Sequence, residues 1–250
     1  MRLLAAFLLL QGPARPDLRA GLDTLYAGAF GEAGRYFETL AARDTADPAP
    51  LIFEAGAYIW WAAAKDSDDF ERNRIDALLD AGVRRARALA PGPVTEFWLG
   101  TALGYRARQR DLHGHAFSAA KDGKAMRDAY RLVLAADSSC VDCYLGLGVY
   151  EYGLARAGGL ARFFARLVGL GSGNADTALV ELRRAATGGD LARVEATWVL
   201  AAALEREAKR DPPNPALRRE ARGYVEGLAS RYPGNPVFQR FLARVPDPGP

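Results

Sequence analysis

Cys140-Val141-Asp142-Cys143 holds both cysteines of the chain, and a two-residue gap suits three different chemistries: a redox motif, half of a zinc site or a local disulfide. No other cysteine exists to complete a zinc site. At a helix start, positions i and i+3 lie about 5–6 Å apart at Cα, which a disulfide accepts. A disulfide between Cys140 and Cys143 is therefore the expectation, with inert reduced thiols as the alternative. Redox catalysis would require a strand-to-helix junction, whereas this motif falls between two expected helices. His113-Gly114-His115 contains the only histidines. Two ligands in an exposed turn do not make a metal site, so no metal and no cofactor is expected.

Two further segments invite a functional reading. Gly169-Leu170-Gly171-Ser172-Gly173-Asn174 precedes a helix and offers backbone N–H groups to an anion. It lacks the Gly-Lys-Ser/Thr of a phosphate loop and any preceding strand, and reads as an interhelical turn. Residues 158–170 form an amphipathic pattern that sets Phe163, Phe164, Leu167 and Leu170 against Arg162 and Arg166. Such a segment packs on its own fold, docks a partner or lies on a membrane surface; the first is expected here. No Gly-x-Ser-x-Gly elbow occurs and no carboxylate pair stands out by spacing, so no enzyme is expected.

These residues must be positioned by helices. Ala (48) and Leu (32) make up about a third of the 250 residues, against 23 for Val, Ile and Thr together. A net charge of +3 with 29 Arg and four Lys carries no nucleic-acid footprint. Met1-Arg2 followed by the apolar run Leu3 to Leu10, with Gly12 and Ala14 behind it, has the layout of a secretory signal over residues 1–14. A periplasmic or secreted location follows, with a cytoplasmic one if the run is instead a first helix. The run is too short to cross a bilayer, so membrane contact is not expected.

A ladder of residues at offsets 0, 4 and 7 recurs five times: Ala33, Phe37, Leu40; Ala81, Arg85, Ala88; Ala125, Ala129, Leu132; Ala178, Leu182, Ala185; and Ala221, Val225, Leu228. Turn signals follow each set, namely Asp47-Pro48, Pro91-Gly92-Pro93, Asp137-Ser138-Ser139, Gly188-Gly189-Asp190 and Pro233-Gly234-Asn235-Pro236. Helices carrying aromatic and small residues precede the later sets, which gives about five helix hairpins. With Ala20, Gly21 and Gly28 in front of its ladder, the first unit matches the 34-residue spacing of the tetratricopeptide repeat (TPR), and the chain resembles that superfamily over most of its length. Tyr144 to Tyr150, Phe163 to Leu167 and Arg231 to Pro236 are similar to the fungal inclusion-body-clearance repeat proteins and their animal TPR relatives.

The resemblance implies an all-α, right-handed α-solenoid over residues 15–245 with helices longer than consensus, followed by a disordered tail at 246–250. It also implies a non-catalytic scaffold, of bacterial type, that binds a peptide or partner helix on its concave face. The superfamily's groove positions fall on Leu18, Leu22, Leu25, Phe53, Ala57, Trp60, Glu96, Leu99, Leu103, Arg106, Asp142, Leu145, Val149, Tyr152, Val199, Ala203 and Arg206. Of these, Trp60, Arg106, Tyr152 and Arg206 are the candidate partner-binding residues, because aromatics and Arg dominate binding energy. Two alternatives are a self-associating cell-envelope subunit and an enzyme or ligand-binding protein with a groove site. The sequence sets no oligomeric state.

Overall fold

The computed structural model describes residues 15–158 and 169–245, and among these it is all helix, with no strand. The leader at 1–14, the tail at 246–250 and residues 159–168 of the amphipathic segment lie outside the described residues. Eleven helices follow in order: α1 (Pro16–Tyr26), α2 (Phe30–Arg43), α3 (Ala49–Lys65), α4 (Arg72–Ala88), α5 (Pro93–Leu112), α6 (Ala116–Ala136), α7 (Cys143–Arg156), α8 (Ala175–Gly188), α9 (Arg193–Ala208), α10 (Pro215–Arg231) and α11 (Pro236–Arg244). Proline opens several of them, at Pro16, Pro93, Pro215 and Pro236, where its missing N–H has no intrahelical partner to lose. Asn174, Asn214 and Asn235 cap α8, α10 and α11 by accepting from backbone N–H groups two or three residues on.

Each helix packs on the next, and α1, α3, α5, α7 and α9 also touch one another in series. Small-to-large complementarity makes the contacts. Tyr130 of α6 wedges between Gly100 of α5 and Gly146 of α7, where an added Cβ would fall 3.1 Å and 2.2 Å from its ring. The ladder residues of α2, α8 and α10 form the buried rows: Ala33, Phe37, Ala178, Leu182, Ala185, Ala221 and Val225 are all fully buried. In α4 and α6 the buried row is displaced by one residue. There it runs through Gly82 and Ala86, and through Met126, Tyr130 and Val133, while Ala125 and Leu132 face solvent.

The two ends of the array meet. Tyr232 donates to Asp23 (2.9 Å), Asn235 Nδ2 donates to the Tyr26 carbonyl (3.0 Å), and Arg240 donates to the Ala63 carbonyl. Gly28, between α1 and α2, adopts φ +93°, and a Cβ there would lie 2.6 Å from the Gly234 carbonyl oxygen. Arg19 of α1 grips Asp190, in the turn before α9, with two hydrogen bonds of 2.7 and 2.6 Å. Aromatic rings fill the seam: Trp60 of α3 meets Trp198 of α9 and Phe238 of α11 at centroid distances of 5.9 and 5.7 Å. The eleventh helix was not foreshadowed by the hairpin count. The Pro233–Pro236 punctuation, which ends α10, also supplies the Asn cap and first-turn proline of α11.

Candidate functional site

Where the row of odd-numbered helices is not closed by its own aromatics, a cavity of about 700 Å3 remains. Its wall is drawn from α3, α5, α6, α7 and α9. Phe97, Trp98, Met126, Tyr130, Leu145, Trp198 and Val199 give it an aromatic and aliphatic lining, and Gly104, Gly123, Gly153, Ala119 and Ala120 leave the room. No described helix is long and apolar enough to cross a membrane.

Three polar features interrupt this wall. Tyr105 of α5 reaches across to donate its hydroxyl to Glu195 Oε2 of α9. Burial pushes the Glu195 carboxyl up from its ordinary range, and burial next to that carboxyl pushes the Tyr105 phenol well above 10. Glu195 is surrounded by protein yet keeps partial accessibility, because it faces the cavity.

Asp142 is the second feature. Its Oδ1 accepts from the N–H groups of Asp190 (2.6 Å) and Ala192 (3.3 Å), and its Oδ2 from that of Leu191 (3.0 Å). Burial raises its pKa against the opposing pull of those three donors. Asp142 thereby binds the start of α7 to the start of α9 and fixes the rotation of the helix that carries Glu195 and Trp198. The Cys140–Cys143 disulfide, with 5.6 Å between Cα atoms, brackets it. A crosslink closing so short a loop is worth about 2 kcal/mol in the chain-entropy model, so dithiothreitol is expected to lower Tm by roughly 4–8 °C for a chain of this size. A differential scanning calorimetry trace that does not move with reductant would remove the disulfide from this role.

The third feature is a set of arginines along the lining. Arg108 of α5 and Arg206 of α9 line the cavity and are exposed. Among the described residues neither has a carboxylate within ion-pair distance: Arg108 makes a 3.4 Å contact with Gln109, and Arg206 lies over the Tyr152 ring at 6.0 Å. Arg156 also lines the cavity but is engaged by Glu207, which it holds below the usual carboxylate range. Asp111 is the exposed carboxylate of the same lining.

Of the four partner-binding candidates, the structure brings Trp60 and Arg206 to the cavity. Tyr152 instead donates to Glu207 (2.9 Å) and to the Ala203 carbonyl (3.3 Å), tying α7 to α9. Arg106 lies elsewhere, between Asp122 of α6 (2.7 and 2.9 Å) and Asp80 of α4 (2.8 Å), where it joins three helices. Leu18, Leu22, Leu25, Ala57, Leu103 and Ala203 are buried in the core, while Phe53, Asp142, Leu145, Val149 and Val199 line the cavity. Tyr105, Arg108 and Glu195 were not singled out by spacing. Tyr105 and Glu195 are 90 positions apart, and no local pattern joins them.

The remaining motifs serve turns. Asn174 caps α8, and Gly173 lets that turn press on α7, since a Cβ would lie 2.1 Å from the Glu151 carbonyl oxygen. His113 has its Nδ1 3.9 Å from Asp69 Oδ1, and His115 directly precedes α6. Among the described residues no three His, Cys, Asp or Glu are grouped to hold a metal ion. No protein-family model matches the chain, and no curated protein matches it.

Proposed function

We propose that this chain is a TPR-like α-solenoid of five helix hairpins, α1–α2 through α9–α10, closed by α11, and that it is a non-catalytic binding protein whose concave face takes an apolar guest. The supporting observation is the cavity: about 700 Å3, inside the range of ligand sites, apolar over most of its wall and crossed by a few convergent polar groups. The five-unit groove that a peptide or partner helix would need is narrowed, because α1, α3 and the C-terminal helices spend their inner faces on each other. Ligand binding in the α5–α7–α9 section is the reading this favours. A non-catalytic role fits the carboxylates, since Glu195 and Asp142 already accept hydrogen bonds from the protein's own donors.

Gly153 gives a clean test. It lines the cavity, and none of the described residues lies within 4 Å of where its Cβ would be. Gly153→Phe therefore folds, gains helix propensity over glycine and fills the space. A neutral polarity-sensitive dye, Nile red, is expected to bind the wild type saturably at one site per chain, with affinity reduced about tenfold or more in Gly153→Phe. Equal binding by both proteins, with unchanged helical circular dichroism, would reject the cavity as the site.

A further inference from the structure

On the reading that the cavity takes a guest, the class of that guest follows from one carboxylate. Glu195 lines the cavity and is half-buried. Its Oε2 accepts from the Tyr105 hydroxyl, whereas among the described residues no donor reaches its Oε1. Asp142, by contrast, is saturated by three N–H groups. A wholly apolar guest would strip water from Glu195 and leave Oε1 without a partner, which is costly for a charged group. The guest must therefore bring a donor to that oxygen.

The surroundings of Glu195 fix the charge on the donor. Trp198 stands about one turn further along α9, on the same face, and its ring lies 5.9 Å by centroid from that of Trp60. Tyr26 packs edge-on against Trp60 at 5.5 Å. Burial, and after it the Glu195 charge, pushes the Tyr26 phenol well above its ordinary value. Burial raises the Tyr130 phenol as well, and both Asp142 and Glu195 add to the rise at each of these two tyrosines. The two carboxylates thus act on one space, which repels an anion. Aromatic faces attract a cation, and a carboxylate accepts more strongly from a charged donor than from a neutral one.

The arginines of the lining do not take this place. Burial raises the Glu195 pKa, and the Tyr105 hydroxyl and then the Arg108 charge pull it back. Arg108 nevertheless stays exposed and outside ion-pair distance, where solvent screens it. Arg206 lies eleven residues further along α9 than Glu195. That is about 16 Å along the helix axis, beyond the screening length of about 8 Å at physiological salt.

We propose that the guest is a hydrophobic monoamine in its ammonium form, its nitrogen at Glu195 Oε1 beside the Trp198 ring and its apolar body along the aromatic wall. Three ligands of nearly one shape test the sign of the charge: phenylbutylamine, phenylbutanol and phenylbutanoate. At neutral pH the amine is an ammonium, as the lysine side chain is. Isothermal titration calorimetry on the full-length protein at physiological salt is expected to show the amine binding about tenfold more tightly than the alcohol, the gain of one charge-assisted contact. The acid should bind more weakly than the alcohol. Glu195→Gln keeps the shape of the side chain and an oxygen for Tyr105, and should bring the amine down to the affinity of the alcohol while alcohol and Nile red binding stay unchanged.

The outcomes separate. If amine and alcohol bind the wild type equally, or the acid binds most tightly, the ammonium assignment fails while the apolar site stands. If Glu195→Gln retains the preference for the amine, Glu195 is not its partner and the proposal fails. If none of the three binds and Nile red still does, the monoamine class fails. If Nile red does not bind either, the cavity reading fails with it.

Discussion

Replacing Phe238 with alanine is expected to destabilise the protein by about 3–5 kcal/mol, the range for truncating a fully buried phenylalanine whose surroundings cannot collapse. For a chain of this length that lowers Tm on the order of 10 °C, read by circular dichroism at 222 nm. The surroundings cannot collapse because they are rings held from other directions. Phe238 packs edge-on against Trp60 and tilted against Trp198, each 5.7 Å away by centroid. Trp60 is held in turn by Tyr26 at 5.5 Å, and Tyr26 by Tyr232 at 6.0 Å. Removing this ring leaves α11 held at the seam by Asn235, Arg240 and the ring of Phe241 against Trp198. Because Trp60 and Trp198 also line the cavity, the same substitution should shift tryptophan emission to the red and weaken guest binding. A loss below about 1 kcal/mol would mean that the meeting of the two ends adds little to folding.

That seam explains what was and was not legible in the sequence. The all-helical class follows from Ala and Leu outweighing the β-branched residues, and the breaks follow from proline, because Pro93 and Pro236 begin helices where punctuation was read. The contacts between the ends join residues about 209 apart, such as Asn235 with Tyr26, and no periodic pattern encodes a pairing at that separation. The slipped rows in α4 and α6 have a different origin. With 48 alanines in the chain, a small residue does not mark the buried stripe, since Ala125 and Ala129 are equally small and only one is inside. The bulky members decide it. Met126, Tyr130 and Val133 repeat the 0, 4, 7 offsets one position later, and they point inward because they fill volume that alanine cannot. For the same reason α5 was read one register off. Glu96 and Leu99 were assigned to the groove, whereas Phe97, Trp98, Thr101 and Tyr105 face the cavity. Charged candidates carried even less information: Arg106 and Arg206 look alike in sequence, and only the positions of Asp80 and Asp122 make the first a clamp between helices.

Gly146→Ala tests the small-to-large rule at its tightest point, and the sign of the result decides it. Helix propensity alone predicts stabilisation of about 1 kcal/mol, since α7 is regular there and alanine replaces glycine. Packing predicts the reverse. The new Cβ would lie 2.2 Å from a carbon of the Tyr130 ring, a distance that only movement can relieve. The ring has little freedom to move: Gly100 confines its other side, the phenol oxygen lies 3.1 Å from the Thr101 hydroxyl, and burial pushes the phenol pKa up from its ordinary value. Overpacking of this kind costs about 1–3 kcal/mol, so a net loss is expected in urea unfolding at constant m-value. The double variant Gly146→Ala, Tyr130→Leu should be less destabilised than the sum of the singles by at least about 1 kcal/mol, because the leucine withdraws the atoms that collide. Additive losses would place the strain elsewhere in α7. Tyr130 and Gly146 both line the cavity, so the same wedge that spaces α5 from α7 also sets the width available to a guest. The double variant, with a shorter side chain in that wedge, should bind a bulkier apolar guest better than the wild type does, even though its fold is weaker.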